Sequence, residues 1–387
     1  MLERFKKVRQ FRNLLSLAYP RIVVTGTRGK SSQVLLLEDM IRSQGIGVLG
    51  KITGDYPQYI VHGERIDVKR CQGHPVLLDE NIKGIVQNGP FDAIVFENQA
   101  ISPYTMRMFN NLIQPTHILV TNVRRDHAEF LGTTSEEVAK SFGMSFSHAK
   151  VVLSGEQNHV LNSILGKYCF SIGARFYVAE VPSSLEHLPG IERIFLAKKL
   201  MELLALETGK FQPITDGKIS TLIDYTATLL TTEKSTIGVE WFDAAKVNDI
   251  DSSHLVLSNI MEKNPSRNFA LLAFFRKDRR DRTVSFLQYF NEVLPSNRVS
   301  KLFLAGFDAD YVFRKLKSEL RATTRVIDSS DPVKSFTPVL LDVACRGEIL
   351  VTLANAVDPF MRELRSFLRQ PTGLVPLVTG QMREVAL

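Results

Sequence analysis

Residues 21–32, RIVVTGTRGKSS, set an apolar β-branched run directly against a loop with two glycines and a Lys-Ser pair. The segment behind it, SSQVLLLEDMIRSQG (31–45), has helical periodicity and is closed by Gly45. A buried strand, a glycine loop and a helix in that order are the context a phosphate-binding loop requires. Backbone N–H groups of Gly26 to Ser31 would wrap an anion, and the helix N-terminus would face it. Lys30 offers a point charge to the β- and γ-phosphates, and Ser31 a hydroxyl to Mg²⁺. The plainer reading is a strand-to-helix turn with a surface lysine, and the flanking strand and helix favour the nucleotide. One feature departs from the common loop: the position five residues before Gly29 is Val24, not glycine.

Short apolar runs alternate with amphipathic stretches along the whole chain, the pattern of α/β folds with mostly parallel sheets. In the first half, strands are expected at 21–25, 47–52, 91–98, 116–123, 149–154 and 174–180, with helices at 133–146 and 191–209. In the second, strands are expected at 237–244, 268–275, 300–306, 323–328 and 348–354. Helices are expected there at about 251–262, 281–293, 309–320, 331–345 and 356–368. The polar stretch LLTTEKSTIG (229–238) marks the boundary. The expectation is a P-loop ATPase domain over 1–235 with a mostly parallel sheet, then a smaller Rossmann-like α/β domain over 236–387.

The net charge of +7 arises from 48 basic and 41 acidic residues, a mild excess. It suits pockets for anionic small molecules or solvated basic faces, and no nucleic-acid partner is expected. Cys71, Cys169 and Cys345 are far apart, with no CxxC pair, so neither a zinc site nor a disulfide framework is indicated. A reducing cytoplasm fits that usage, and no segment reads as a signal peptide or spanning helix. The basic stretch MLERFKKVRQFRNLLSLA reads first as a helix docked on its own domain, and second as an anchor at an anionic membrane surface.

Two further strand ends carry chemistry. AIVFENQA puts Glu97 at a strand's carboxyl end, where open α/β sheets gather ligands. A carboxylate straight after IVF is costly unless solvated or metal-bound. TNVRRDHAEFLG places Asn122, Asp126 and His127 behind another strand. Alone, each signal is weak.

Together, Thr-Gly-Thr-x-Gly-Lys-Ser, the strand-end Glu and Asn-Val-x-x-Asp-His resemble the Mur ligase superfamily, whose loop lacks the outer glycine. Within it, the matching segments GTRGKSS, GKITG (50–54), IVFENQAISP (94–103), NVRRDHAEFLG (122–132), NDIDSS (248–253) and FRKDRRDRT (275–283) are similar to the ATP-dependent ligase subunits of capsular poly-γ-glutamate synthases. The resemblance implies an ADP-forming carboxylate–amine ligase that works through an acyl phosphate. Its substrates would be a small-molecule carboxylate and an amino acid or poly-γ-glutamate-like chain; the cofactors would be ATP and two Mg²⁺ ions. Thr25, Gly26, Thr27, Arg28, Gly29, Lys30, Ser31 and Ser32 would cradle the nucleotide, with Asn122, Asp249, Asp278 and Arg282 contributing. Ser31, Glu97 and His127 would hold the metals, and Lys30, Glu97, His127 and Arg279 would act in catalysis. A membrane-associated synthase complex is the implied partner, and an oligomer is compatible with it. The protein would then be cytoplasmic, or peripheral to the membrane through those partners.

The chain also departs from the family. Only 20 residues precede the first strand, too few for the UDP-sugar-binding domain of cell-wall ligases, and no membrane segment opens it. A carbamylated lysine is used by several relatives. Lys140 and Lys150 lie nearby in sequence, but neither sits in a matching motif. The other function class open to the sequence is a P-loop ATPase regulator or a nucleotide-binding protein without ligase activity.

Overall fold

The structure, a computed structural model, describes residues 2–53, 57–70, 77–235, 237–245, 247, 249–294, 297–330, 332–354 and 359–369. Gly54, Cys71 and Asn248, named above within motifs or counts, lie outside the described residues. The chain divides into two compact units, Met1–Thr226 and Ala227–Leu387.

Unit 1 runs α1 (Leu2–Leu17), β1 (Arg21–Thr25), α2 (Lys30–Arg42), β2 (Val48–Ile52), β3 (Gln58–Val61), β4 (Glu64–Asp67) and α3 (Leu77–Asn88). It continues with β5 (Ala93–Glu97), α4 (Pro103–Ile113), β6 (His117–Val120), α5 (Ala128–Leu131), α6 (Ser135–Ser145), β7 (Val151–Ser154) and α7 (His159–Ser171). The last elements are β8 (Arg175–Val178), α8 (Glu192–Thr208) and α9 (Asp216–Thr228), whose final residues pass the division. The strands form one eight-stranded sheet in the order β4-β3-β2-β5-β1-β6-β7-β8. All pairs are parallel except β2–β3 and β3–β4, an antiparallel meander at one edge.

Alternation along the central strands divides the core between the two faces of this sheet. Val23 of β1 and Ile118 and Val120 of β6 join Phe109 of α4 and Phe142 of α6 on one side. Ile22, Val24 and Leu119 join Leu37 of α2 and Leu200 of α8 on the other. Phe11 and Leu15 of α1 are buried in the first of these clusters, so the basic N-terminal helix docks on its own unit. Helix starts follow their capping residues: Ser102 and Thr134 each close a capping box, with Pro103 at the first turn of α4.

Unit 2 comprises β9 (Glu233–Lys234), β10 (Glu240–Asp243), α10 (Ile250–Lys263), β11 (Phe269–Phe275), α11 (Arg280–Glu292) and β12 (Val299–Gly306). It ends with α12 (Ala309–Lys315), α13 (Ser318–Ala322), β13 (Thr324–Ile327), α14 (Pro332–Cys345), β14 (Ile349–Ala354) and α15 (Pro359–Arg369). Its sheet order is β13-β12-β11-β14-β10-β9, parallel except for β9. FALLAFF forms β11, buried along its whole length as befits a central parallel strand. The single helix expected at 309–320 is two. Leu316 turns to an extended conformation (ψ 148) and is 2% exposed, which ends α12 before α13 begins.

Candidate active site

The loop after β1 is held from inside. Gly26 has φ 116, and a Cβ there would lie 2.2 Å from Thr121 Oγ1 and 2.8 Å from Thr121 N, so only glycine fits. Gly29, at φ 79, caps the N-terminus of α2 and is packed by the aliphatic part of Arg193. The stretch after β6 braces the loop. Asn122 O accepts from Thr27 N at 3.1 Å, and Asn122 Oδ1 accepts from Arg28 N at 3.0 Å. The Thr121 hydroxyl donates to Arg28 O at 2.6 Å, and Thr27 Oγ1 donates to Arg124 O at 3.0 Å. Asn122 Nδ2 also reaches Glu192 Oε1 at 2.9 Å, tying in the start of α8.

These bonds narrow the expected cradle. The N–H groups of Thr27 and Arg28 are engaged by Asn122, so the span from Gly26 to Ser31 does not offer an unbroken row of donors. What remains suited to an anion is the first turn of α2, whose N–H groups have no intrahelical acceptor. Lys30 Nζ donates to Gly26 O at 2.9 Å and Thr27 O at 3.2 Å. Burial pushes its ammonium below the ordinary lysine value, and the Glu97 charge opposes that shift. Thr25 is buried and Ser32 exposed.

Glu97 ends β5 beside β1, in register with Val24. It is 4% exposed, and its Oε2 accepts from Ser31 Oγ at 2.7 Å and Thr53 N at 2.8 Å. Oε1 has no hydrogen-bond partner among the described residues. That oxygen is not sealed from solvent, so it is open to water or a ligand. Together with the adjacent hydroxyl it forms a hard oxygen donor set that fits Mg²⁺ or Mn²⁺. His127, in the left-handed region (φ 52), caps α5 and stands 3.6 Å from Asp126 Oδ2, which Arg28 holds at 2.8 Å. His127 lines a cleft with Thr25, Gly26, Thr27, Lys30 and Asn98, walled by Ile101, Met106, Leu131 and Phe142. The structure thus joins Ser31 to Glu97 directly and puts Lys30 and His127 in one cleft. Lys140 and Lys150 are exposed and do not line it.

The remaining sequence candidates belong to unit 2. Asp249 is 3% exposed and caps α10, its carboxylate accepting from Ser252 N at 2.8 Å. Asp278 forms a two-pronged pair with Arg276 (2.9 and 2.7 Å) in the turn after β11. Arg279 occupies the N-cap of α11, and Arg282, 7% exposed, lies in its first turn. Lys277 and Arg280 both stand 5.5 Å from the exposed Phe307 ring. Asp278, Arg279 and Arg282 follow the carboxyl end of β11, where parallel sheets bind ligands, whereas Asp249 follows β10.

Residues 24–169 match the Mur ligase middle domain, and residues 230–370 match the C-terminal domain of the poly-γ-glutamate synthase CapB. The chain carries a Mur ligase middle domain followed by a CapB-type C-terminal domain. Two curated members align with it: PGA synthase CapB of Bacillus subtilis, 29% identical over 127 residues, and the capsule biosynthesis protein CapB of Bacillus anthracis, 27% identical over 128. Each alignment covers 32% of this chain; it covers 32% of the first relative's length and 27% of the second's. A solved bifunctional folylpolyglutamate synthase/dihydrofolate synthase from Yersinia pestis, complexed with AMPPNP and Mn ion, superposes with a TM-score of 0.62. That likeness covers 92% of this chain and 90% of the other at 15% identity, and it establishes the Mur ligase fold. Among the described residues, no helix is long and apolar enough to cross a membrane.

Several parts of the site escaped the sequence reading. Thr53 lies within the GKITG match, yet nothing in sequence shows that its N–H grips Glu97. Thr121 reads as a strand residue, and Glu192 as an ordinary acid in a helix's first turn. Lys51, also within GKITG, is 0% exposed, although a lysine in a strand ordinarily faces solvent.

Proposed function

We propose that the chain is an ATP-dependent ligase joining a carboxylate to an amine, with an amino acid or γ-linked glutamate chain as substrate. The observation that carries the reading is the Glu97 carboxylate: a buried residue held by Ser31 and Thr53 at the foot of the loop, whose Oε1 accepts no hydrogen bond among the described residues. Ser31 and Glu97 would hold one divalent ion and Glu97 with His127 a second. When bound, such ions neutralise phosphate charge and polarise the transferred group. Lys30 adds its charge at the β- and γ-phosphates, and the first turn of α2 adds its N–H dipoles. Asp278, Arg279 and Arg282 of unit 2 suit anionic ligand groups, and Asp249 fixes the start of α10.

In the first step the substrate carboxylate oxygen attacks the γ-phosphorus. An O–P bond forms, the β–γ bridging P–O bond breaks, and ADP leaves. In the second the amine nitrogen attacks the acyl carbon. A C–N bond forms, the acyl C–O bond breaks, phosphate departs, and the nitrogen loses a proton. The chain's own contribution is orientation and charge placement.

The CapB-type C-terminal domain supports a place for the chain in a synthase that lengthens a glutamate polymer. The test is ADP release across amino acids and short γ-linked peptides, with hydroxylamine present to trap the acyl phosphate. Turnover should need both a carboxylate and an amine, and hydroxamate should form without the amine. ATP hydrolysis that ignores both substrates would refute the ligase reading.

A further inference from the structure

Behind Glu97 lies a charged cluster that the proposed reaction leaves unused. Lys51 of β2 is 0% exposed, and its Nζ donates to Gln99 Oε1 at 2.6 Å, Asn81 Oδ1 at 2.8 Å and Glu80 Oε2 at 3.2 Å. An ammonium has three N–H groups, so each of them has an acceptor. Arg70 Nε joins the same Glu80 at 2.8 Å. Burial pulls Lys51 down to about 8, against the charges of Glu80 and Glu97. Burial alone would push Glu80 up, but Arg70 and Lys51 hold it below the ordinary value.

The location of the cluster gives it a role. Lys51 pairs with Phe96 in the parallel register of β2 and β5, one residue before Glu97. Two residues after Lys51, Thr53 N donates to Glu97 Oε2. Two residues after Glu97, Gln99 accepts from Lys51. The two strand ends are therefore closed into a ring, with the ammonium on one side and the Glu97 carboxylate on the other. An apolar side chain would fill the same core volume without the desolvation cost of a cation.

We infer that Lys51 is a positioning residue: through Gln99 and Thr53 it fixes the Glu97 carboxylate for the divalent cation and touches no reactant. The inference rests on the ligase reading's assignment of Glu97 to that cation. It also specifies which acceptor matters, since Gln99 is the link from the ammonium to the Glu97 strand end.

The experiment is a Mn²⁺ titration followed by electron paramagnetic resonance, with AMPPNP bound to the full chain. Nucleotide affinity is measured separately in EDTA. Gln99→Met and Lys51→Met should weaken Mn²⁺ binding roughly 10- to 100-fold, as loss of outer support does at other metal sites. Metal-free AMPPNP affinity should stay within about twofold. Gln99→Glu keeps the acceptor and should stay within about threefold of wild type for Mn²⁺. Because Lys51→Met leaves Glu80 facing one cation fewer and can lower folding yield, the Gln99 pair decides the matter. Wild-type Mn²⁺ affinity in Gln99→Met, alongside a loss in Glu97→Gln, would overturn the inference alone. Equal loss of Mn²⁺ and metal-free nucleotide binding in Gln99→Met would overturn it too, by showing general loosening. Unchanged Mn²⁺ binding in Glu97→Gln would remove the cation assignment itself, and the inference with it.

Discussion

Replacing Gly26 by alanine separates the shape of the loop from its charge. At φ 116 any other residue is strained by about 1–3 kcal/mol. The new Cβ would also stand 2.2 Å from Thr121 Oγ1, 2.8 Å from Thr121 N and 3.1 Å from Asn122 N. Two of those three atoms are backbone. The hydroxyl is tied to Arg28 O at 2.6 Å and Thr25 O at 3.2 Å, so it cannot swing aside without cost. Overpacking of this kind adds about 1–3 kcal/mol, for a sum of roughly 2–6 kcal/mol. At about 2–4 °C per kcal/mol for a unit of this size, the melting temperature should fall by about 10 °C. Thr121→Ala alone should cost about 1 kcal/mol, the worth of the single proton its hydroxyl donates, chiefly to Arg28 O. In the double variant the worst collision is gone, so its cost should fall short of the sum by about 1 kcal/mol or more. Thermal unfolding by circular dichroism reads stability, and titration with a fluorescent ATP analogue reads the loop. A Gly26→Ala protein that melts within 2 °C of wild type, or strict additivity in the cycle, would refute the packing argument.

Other perturbations probe separate parts of the molecule. Lys30→Ala should lower ligase turnover at least about 100-fold with the fold intact by circular dichroism, since on the proposed function it removes the charge that neutralises the phosphates. Glu97→Gln keeps an acceptor for Ser31 and Thr53, so its melting temperature should change little while the Mg²⁺ needed for half-maximal turnover rises about tenfold or more. His117 is fully buried on β6, and burial pulls its pKa down to about 4 despite Glu207 at 3.2 Å. The unfolded chain therefore binds the proton first, and stability should fall as pH drops from about 6.5 to about 4, by roughly 3 kcal/mol. His117→Gln should flatten that part of the pH–stability curve, and an unchanged slope would contradict it. In unit 2, Arg365 binds both oxygens of the buried Asp243 at 2.6 and 3.1 Å. Burial raises the Asp243 pKa, but Arg365 and Thr352 bring it below the ordinary value. That stabilisation is complete above the unfolded pKa of about 4 and disappears as pH falls through the lower folded value. Arg365→Met should thus cost about 3–5 kcal/mol at pH 7 in denaturant unfolding, with the difference shrinking in acid.

The places of the glycine loop and of Glu97 were legible because both obey a local rule: a glycine loop between strand and helix, and a carboxylate at a parallel strand's end. The Ser31–Glu97 bond follows from the parallel pairing of β1 and β5, which the sequence does not reveal. The bracing by Asn122 was not legible, since its side chain and carbonyl spend two loop N–H groups through contacts nearly a hundred residues apart in sequence. The β2–β3–β4 meander was missed for a compositional reason. Edge strand Glu64–Asp67 is exposed throughout and carries three charges, so it shows no apolar run. Lys51 was hidden because residue type predicts exposure on average, and only the three-dimensional arrangement reveals its three acceptors. Asp249 shows the reverse: a residue noticed for its family match has an immediate structural use as a helix cap.

The stretch from Thr121 to His127 carries the braces of the loop and the imidazole of the cleft on one short piece of backbone. Loop and imidazole are therefore exchangeable only as a pair. A chimera that imports a relative's loop while keeping this chain's 121–127 segment would mismatch the bonds from Thr27 and Arg28, even if every catalytic side chain were retained. Transplanting both segments together preserves the fit. Recombination among related ligases should accordingly tolerate crossovers on either side of this pair of segments far better than one that parts them.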